Sequence, residues 1–241
     1  MALIAHLSDP HVTTGPLAAA HLRAALGRVL ALDRRPELVV ITGDLAGEGL
    51  PEEYAKLAEV LDGFPLPLHL VAGNHDDSAA LAAAFGLADT RYVVDHADVT
   101  LVVLDSRVPG KPGGLLGAGQ LRWLDAVLTE RPGKPAFVAV HHPPIAVGIP
   151  LLDGMRLDDG PGLAEVLARH PHVARVLSGH VHRPVVAPFA GTVLAVAPST
   201  FRQTGLTLLA DPPAGPVDEP AAFLLHAEVE GTWVTHTVPV G

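Results

Sequence analysis

The chain has 241 residues, of which 49% are hydrophobic and 17% charged, with no cysteine and a formal net charge of −10. This length and composition fit one domain with a substantial apolar core, and they exclude a disordered chain, a disulfide framework and cysteine-ligated zinc fingers. An acidic balance without any Lys/Arg cluster excludes an extended phosphate-backbone track, so long nucleic acid is not an expected partner.

Strand and helix patterns alternate through the first part of the chain. Runs of apolar, β-branched residues predict strands, and apolar residues at helical spacing predict helices. Pro51, Glu52 and Glu53 are typical of the first turn of a helix, and Ser78 is the predicted N-cap of the next one. The predicted elements are strand 2–8, helix 17–33, strand 38–42, helix 51–62, strand 67–72 and helix 78–85.

Strands dominate the second part of the chain. The runs 91–95 and 99–105 predict an antiparallel pair, whereas the loop 145–160 has no strong periodicity and is expected to shape specificity. Two packed mixed sheets with helices on their outer faces fit this order, in a single domain 1–241 with a motif-bearing core at about 1–200 and a β-rich completion at about 201–241. The remaining predicted elements are helices 119–130 and 161–170, and strands 136–141, 173–178, 184–189, 192–196, 205–209, 222–228 and 232–238.

Five short segments place metal-binding side chains directly after predicted strands. Loops at strand carboxyl ends converge on a shared crevice in open α/β sheets, so these side chains are predicted to meet on one rim of a sheet. The segments carry Asp9 and His11, Asp44, Asn74 and His75, His141 and His142, and His180 and His182.

The residue types and spacings in these segments suit transition metals. Residues i and i+2 of an extended segment share a face, so Asp9 and His11 can clamp one ion, and so can His180 and His182. Asp44 supplies a carboxylate that can bridge two ions. Without cysteine, ligands of mixed nitrogen and oxygen type suit two ions of Mn, Fe, Zn or Co better than Ca or Mg.

Ordinary turn chemistry is the competing interpretation of each segment taken alone, because Asp and Asn after a strand also cap helices. The alignment of histidines with the same turns favours the metal interpretation for the set. Asp76 and Asp77 either orient the imidazoles of metal ligands or start the helix at 78. His6 and His69 lie inside predicted strands and are interpreted as structural residues.

The segments DPH, GDL, GNHD, HHPP and GHVH together resemble the five signature motifs of the calcineurin-like metallophosphoesterases, in the family's order across residues 9 to 182. The later APST segment is similar to the bacterial branch that contains cyclic-nucleotide phosphodiesterases (class III) and glycerophosphodiesterases. The resemblance implies an α/β fold, a four-layer αββα sandwich of two mixed β-sheets flanked by helices. It also implies a binuclear centre of divalent or mixed-valence transition-metal ions.

The resemblance further implies a role for each matching residue. Asp44 would bridge the two ions, and His75 would face the substrate phosphate as the catalytic group. His142, Asp76 and Asp105 are candidates for a supporting role or a substrate contact. One metal would take Asp9, His11 and His182, and the other would take Asn74, His141 and His180.

A metal-dependent phosphodiesterase is therefore the expected function. It would hydrolyse a small anionic phosphodiester, with 3′,5′-cyclic AMP or 2′,3′-cyclic nucleotides first among candidates, by in-line attack of a metal-bridging hydroxide. A glycerophosphodiesterase or broad-specificity phosphomonoesterase is the alternative, ahead of a nuclease or a non-catalytic scaffold. The chain shows no signal-peptide pattern and no bilayer-length apolar run, so a cytoplasmic location and no membrane partner are expected, and the oligomeric state, a homodimer included, stays open.

Overall fold

The computed structural model describes residues 2–240. None of the helices in these residues is long and apolar enough to cross a bilayer. The helices are α1 (Pro16–Leu30), α2 (Pro51–Leu61), α3 (Ser78–Phe85), α4 (Gly117–Thr129), α5 (Pro150–Asp153) and α6 (Gly160–Leu167). The strands are β1 (Leu3–Leu7), β2 (Leu38–Thr42), β3 (Leu68–Val71), β4 (Tyr92–Asp95), β5 (Thr100–Val103), β6 (Ala136–Ala139), β7 (Val173–Ser178), β8 (Val185–Phe189), β9 (Thr192–Val196), β10 (Gln203–Thr204), β11 (Pro216–Val217), β12 (Ala222–Val229) and β13 (Thr232–Pro239).

The strands form two large mixed sheets and one short ribbon. The five-stranded sheet has the order β13-β12-β1-β2-β3, and the six-stranded sheet has the order β4-β5-β6-β7-β9-β8. Strands β1, β2 and β3 are parallel, as are β5, β6 and β7, whereas β4 and β5 form the predicted antiparallel pair. Strand β12 pairs with β1, so the C-terminal segment completes the sheet that the N-terminus begins.

Three apolar layers hold the sheets and helices together. Alternate residues of a strand face opposite sides of its sheet, so Ile41 packs on the α1–α2 side while Val40 packs between the sheets. On the six-stranded sheet, Val138 packs against α4 and α6, and Phe137 packs between the sheets. Helices therefore cover both outer faces, and the predicted four-layer αββα sandwich is confirmed.

Several local predictions were wrong. The predicted strand 205–209 is irregular, and its leucines are exposed. Ser78 is the first residue of α3 and does not cap it; the N-cap is Asp77, whose carboxylate accepts a hydrogen bond from the backbone N–H of Ala80 at 2.9 Å. Helix α1 ends at Leu30, earlier than predicted, and the loop 145–160 contains the short helix α5.

Candidate metal centre

The predicted ligands lie in five loops at one end of the sandwich. Three of these loops follow β1, β2 and β3 of the five-stranded sheet, and two follow β6 and β7 of the six-stranded sheet. The rim that carries them therefore belongs to both sheets, and the prediction of a single-sheet rim was wrong. The two sheets must pack face to face before all the donors can meet.

Hydrogen bonds connect these loops within each sheet and across the sandwich. Within the sheets, the N–H of Asp9 donates to the carbonyl of Gly43 at 3.1 Å, and the N–H of Gly179 donates to the carbonyl of His141 at 2.9 Å. Across the sandwich, the N–H of His180 donates to both carboxylate oxygens of Asp9, at 3.1 and 3.0 Å. The backbone therefore fixes the relative position of the donor side chains.

Five of the seven predicted ligands have a left-handed backbone conformation, which costs on the order of 1–3 kcal/mol for a residue with a Cβ. The other non-glycine residues of 2–240 with positive φ, Ala190 and Glu230, each precede a glycine in a turn between adjacent strands. Such strain concentrates where a fold must aim side chains at a common point. The five are Asp9, His11, Asp44, His180 and His182, with φ from 44° to 69°.

Two glycines of the motifs allow the loops to approach closely. A Cβ atom at Gly73 would overlap the backbone nitrogen and the carboxylate of Asp44. A Cβ atom at Gly179 would overlap the Ser8 hydroxyl and lie 2.7 Å from Oδ2 of Asp9. Any larger residue would displace a carboxylate from the cluster.

The first group of donors comprises Asp9, His11, Asp44 and His182, whose ligand atoms all lie within 4.8 Å of one another. Nε2 of His11 lies 3.1 Å from Nε2 of His182 and 3.6 Å from Oδ2 of Asp44. Nε2 of His182 lies 3.4 Å from Oδ1 of Asp9. Two imidazole nitrogens and two carboxylates thus face a common point.

The second group comprises Asn74, His141 and His180, again beside Asp44. Oδ1 of Asn74 lies 3.1 Å from Nε2 of His141 and 3.0 Å from Nδ1 of His180. Nε2 of His141 lies 3.4 Å from Oδ1 of Asp44. Asp44 therefore presents one carboxylate oxygen to each group.

The tautomers of two histidines show that the donor set fits a cation. Nδ1 of His182 lies 2.7 Å from the carbonyl oxygen of Arg202, and Nδ1 of His141 lies 2.7 Å from that of Thr42. A carbonyl only accepts, so each Nδ1 carries a hydrogen and each ring turns Nε2 inward. These Nε2 atoms lie beside the oxygens of Asp9 and Asp44, so each imidazole and carboxylate must share either a proton or a bound cation.

The pKa shifts of the clustered side chains also suit a bound cation. Burial opposes the ionisation of Asp44, but His141 and His11 beside it hold the pKa of that carboxyl well below its usual range. Burial alone would lower the pKa of His141, and the Asp44 carboxylate reverses this and raises it to about 9. Burial lowers the pKa of His11 to about 4 and that of His180 to about 3. The carboxylates of the cluster are therefore ionised and the imidazoles of His11 and His180 neutral, whereas the carboxylates of Asp44 and Asp9 raise the pKa values of His141 and His182 and hold protons that a bound cation would replace.

Comparison with known proteins agrees with this geometry. The model of the family described as calcineurin-like phosphoesterase matches residues 2–184, which include all five motifs. The chain belongs to this family. Divalent metal ions are therefore part of its chemistry, and the resemblance drawn from the motifs is confirmed.

Curated relatives cover most of this phosphoesterase. A glycerophosphodiester phosphodiesterase of Enterobacter lignolyticus is 30% identical over 97% of this chain and 90% of its own length. A cAMP/cGMP dual specificity phosphodiesterase of Mycobacterium tuberculosis is 32% identical over 99% of this chain and 80% of its own length. Among solved structures, a dimetal phosphatase from Danio rerio has a TM-score of 0.75 at 16% identity and covers 100% of this chain and 96% of its own, which supports the fold.

His75 lies at the surface of the cluster in this phosphoesterase. Its backbone N–H donates to Oδ1 of Asp44 at 2.9 Å, and its ring packs edge-on against the ring of His11 at 4.8 Å. Its Nδ1 donates to the carbonyl of Gly47 at 2.7 Å, which leaves Nε2 as the second ring nitrogen. The ring is exposed and lines the cavities on both sides of the cluster.

His142 lies near the second group, 4.7 Å ring to ring from His180, but neither of its ring nitrogens is free for a metal. Nδ1 lies 2.8 Å from the hydroxyl of Ser106, and Nε2 donates to the carbonyl of Pro112 at 3.1 Å. The ring connects the ligand-bearing loop after β6 to the loop 106–112. It therefore holds the wall of a neighbouring cavity.

Asp76 and Asp105 have different neighbours. The buried carboxylate of Asp76 accepts hydrogen bonds from the backbone N–H groups of Leu45, Ala46 and Gly73, which flank the predicted ligands Asp44 and Asn74. The carboxylate of Asp105 instead accepts from Ser78, Thr90 and the N–H of Arg107. Asp105 has no hydrogen bond to a predicted ligand in the described residues.

Two residues that support the site were not predicted from the sequence. The hydroxyl of Ser199 donates to the carbonyl of Asp9 at 2.7 Å, and the hydroxyl of Tyr54 donates to Asp76 at 3.1 Å. The similarity of the APST segment to one family branch was the only sequence signal for Ser199. Tyr54 had none, because helix periodicity alone explains its burial.

Proposed function

We propose that this protein is a binuclear-metal-dependent phosphodiesterase that hydrolyses small phosphodiesters, with cyclic nucleotides, either 3′,5′-cyclic AMP or 2′,3′-cyclic nucleotides, as its substrates. The observation that carries the proposal is the Asp44 carboxylate, which turns Oδ1 to one donor group and Oδ2 to the other. Asp9, His11 and His182 would hold one metal ion, Asn74, His141 and His180 would hold the other, and Asp44 would serve both. Mn, Fe, Zn and Co all fit these ligands.

When bound, such a pair of ions supplies a Lewis acid for the phosphoryl oxygens and lowers the pKa of water. The chain itself positions the ligands: the carbonyls of Thr42 and Arg202 fix the tautomers of His141 and His182. No protein nucleophile is needed for this reaction. The chain needs only donors in place and a group that assists departure of the alkoxide.

His75 is the group proposed for that assistance. With Nδ1 held by the carbonyl of Gly47, the ring presents Nε2 to the cavities beside the cluster. It can stabilise negative charge on the phosphoryl oxygens or donate its proton to the leaving alkoxide. His75→Ala is expected to keep both metals and to lower kcat by about 10²- to 10⁴-fold.

The metal assignment is tested by metal analysis of purified variants. Asp44→Asn is expected to lower the metal content per chain, because the amide cannot serve both ions as a carboxylate does. Asp62→Asn, at an exposed site after α2, is the matched control. Unchanged stoichiometry in Asp44→Asn would overturn the bridging role.

The reaction class is tested by turnover of bis(p-nitrophenyl) phosphate. Turnover that EDTA abolishes and that added Mn, Fe, Zn or Co restores is the expected result. Inactivity with every one of these metals would overturn the proposal. Comparing 3′,5′-cyclic AMP, 2′,3′-cyclic AMP and a phosphomonoester then separates the proposed substrates from a phosphomonoesterase.

Glycerophosphodiester hydrolysis is the second candidate. A relative that covers 97% of this chain is named as a glycerophosphodiester phosphodiesterase, at 30% identity. The metal site serves either substrate, because both present the same phosphodiester. The choice between them depends on what surrounds the site.

A further inference from the structure

A cavity of about 440 Å³ opens directly beside the first donor group. The side chains of His11, His75 and His182 form the part of its lining that belongs to the cluster. Phe201 and Arg202 line it as well. A diester whose phosphorus sits at the cluster therefore directs one ester arm into this cavity.

Phe201 and Arg202 form a positively charged wall of this cavity. Cζ of Arg202 lies 4.9 Å from the centroid of the Phe201 ring, and the ring of His21 packs at 75° to the Phe201 ring with the centroids 5.5 Å apart. Arg202 is exposed, and its guanidinium has no ion-pair partner within residues 2–240. A guanidinium stacked on an aromatic ring offers a delocalised plane with a positive charge, which suits π-systems.

The wall is fixed relative to the metal ligands. The hydroxyl of Ser199 accepts hydrogen bonds from the backbone N–H groups of Phe201 at 2.9 Å and Arg202 at 3.0 Å, and it donates to the carbonyl of Asp9. The carbonyl of Arg202 accepts from Nδ1 of His182. The same short turn therefore orients His182 and fixes the backbone of the cavity wall.

We propose that the Phe201–Arg202 stack is the specificity determinant of the site and seats a planar aromatic ester arm, a nucleobase, at the metal cluster. The inference rests on the proposed function and selects between its two candidates. A nucleobase has a π-face for stacking, whereas a glycerol arm has none. The stack also places a positive charge where the cationic head of a choline or ethanolamine diester would lie, which disfavours those arms.

The test compares two products that share a phosphate and differ in the arm. Binding of AMP and of glycerol 3-phosphate to the metal-loaded protein is measured by calorimetry in wild type, Arg202→Ala, Arg202→Lys and Phe201→Leu. The backbone groups that hold Ser199 and His182 remain in all variants. Arg122→Ala, an exposed arginine of α4, is the matched control for charge loss.

Arg202→Ala and Phe201→Leu are expected to raise the Kd of AMP about tenfold, with that of glycerol 3-phosphate unchanged within about twofold. Arg202→Lys, which keeps the charge and loses the plane, is expected to fall between wild type and Arg202→Ala. Arg122→Ala is expected to behave as wild type. Equal weakening of both ligands, or no change in either, would overturn the inference.

Turnover separates this inference from the proposed function. If wild type hydrolyses cyclic AMP and glycerophosphoglycerol and Arg202→Ala lowers kcat/KM for both equally, the phosphodiesterase function stands and the stack is not the determinant. If wild type hydrolyses no diester with any metal, the proposed function fails. The ratio of the two product affinities still reports on the stack in that case, because binding does not need turnover.

Discussion

At the scale of single residues, Asp76 shows how the metal site is built. Its carboxylate receives three backbone N–H groups from two different loops, at 3.1, 3.0 and 2.8 Å, and the hydroxyl of Tyr54. One buried carboxylate thus sets the spacing between the loop that carries Asp44 and the loop that carries Asn74. The sequence motif left its role open between helix start and ligand support, and the geometry favours support.

Asp76→Asn is expected to destabilise the protein by about 1–3 kcal/mol, because the amide NH₂ faces backbone N–H donors and leaves a buried group unsatisfied. It is also expected to weaken metal retention, since the two loops separate. The measurements are urea unfolding of the chelated protein and metal content after dialysis. Tyr54→Phe is the milder comparison, and equal stability of Asp76→Asn and wild type would contradict the role.

The donor residues were predicted from the sequence, and their role as metal ligands stays a prediction, but the residues that support them were not predicted. Donor side chains follow directly after apolar strands, and parallel strands bring such ends together within one sheet, so Asp9 and Asp44 could be placed together, and likewise His141 and His180. Ser199 reaches Asp9 across 190 residues of chain, and only the packing of the two sheets brings them together. No local sequence pattern predicts such a contact.

At the scale of elements, strands β1 and β12 meet through a buried histidine pair. Nδ1 of His6 lies 3.3 Å from Nε2 of His226, and the outer nitrogens of the pair bond the hydroxyls of Thr42 and Thr235 at 2.9 Å each. The prediction that His6 is structural agrees with this position. Burial lowers the pKa of His6 to about 3 and holds that of His226 well below its usual range.

This pair makes stability depend on pH. Both rings stay neutral in the folded protein while the unfolded chain takes up protons below about pH 6.5, so stability is fully present above pH 6.5 and falls as the pH drops toward about 3. His226→Gln is expected to reduce the slope of unfolding free energy against pH by about 1.4 kcal/mol per unit in this window. Chelated protein and urea unfolding at pH 4.5 to 7.5 provide the measurement, with exposed His236→Gln as the control. An unchanged slope would contradict this cause.

Strands were predictable where an apolar run is buried between neighbouring strands, and they were not where an apolar run is exposed. The apolar runs of β2 and β6 are buried on both faces and were predicted at the right places. The run 205–209 has a similar apolar character, but it pairs with no strand within residues 2–240, and Leu206, Leu208 and Leu209 are exposed. Hydrophobicity alone does not distinguish a strand from a surface loop.

At the scale of the whole molecule, β12 joins the C-terminal segment to the sheet that begins with β1. This strand lies between β1 and β13, and its Phe223 and Leu224 are buried in the outer and inner layers of the sandwich respectively. Strand β13 lies at the edge and is largely exposed, although Trp233 packs against Phe137 with ring centroids 4.7 Å apart. Strand β12 therefore contributes more buried apolar surface than β13. This difference predicts that the loss of β12 destabilises the domain more than the loss of β13.

Two truncations test this whole-molecule role. A chain ending at Gly231 loses only the edge strand and is expected to fold with reduced stability and to keep its metals. A chain ending at Gly215 also loses β11 and β12, which removes the buried side chains of Phe223 and Leu224, worth about 1.5–3 kcal/mol each, together with buried Ala222, His226 and Ala227, and exposes the backbone of β1. This loss is large compared with a typical net stability of about 5–15 kcal/mol, so that chain is expected to show no cooperative unfolding transition. Asp9 and His11, which follow β1, are then expected to lose their fixed positions. Circular dichroism during urea unfolding and metal content are the measurements. A wild-type unfolding midpoint in the shorter chain would show that the metal site stands without the C-terminal strands.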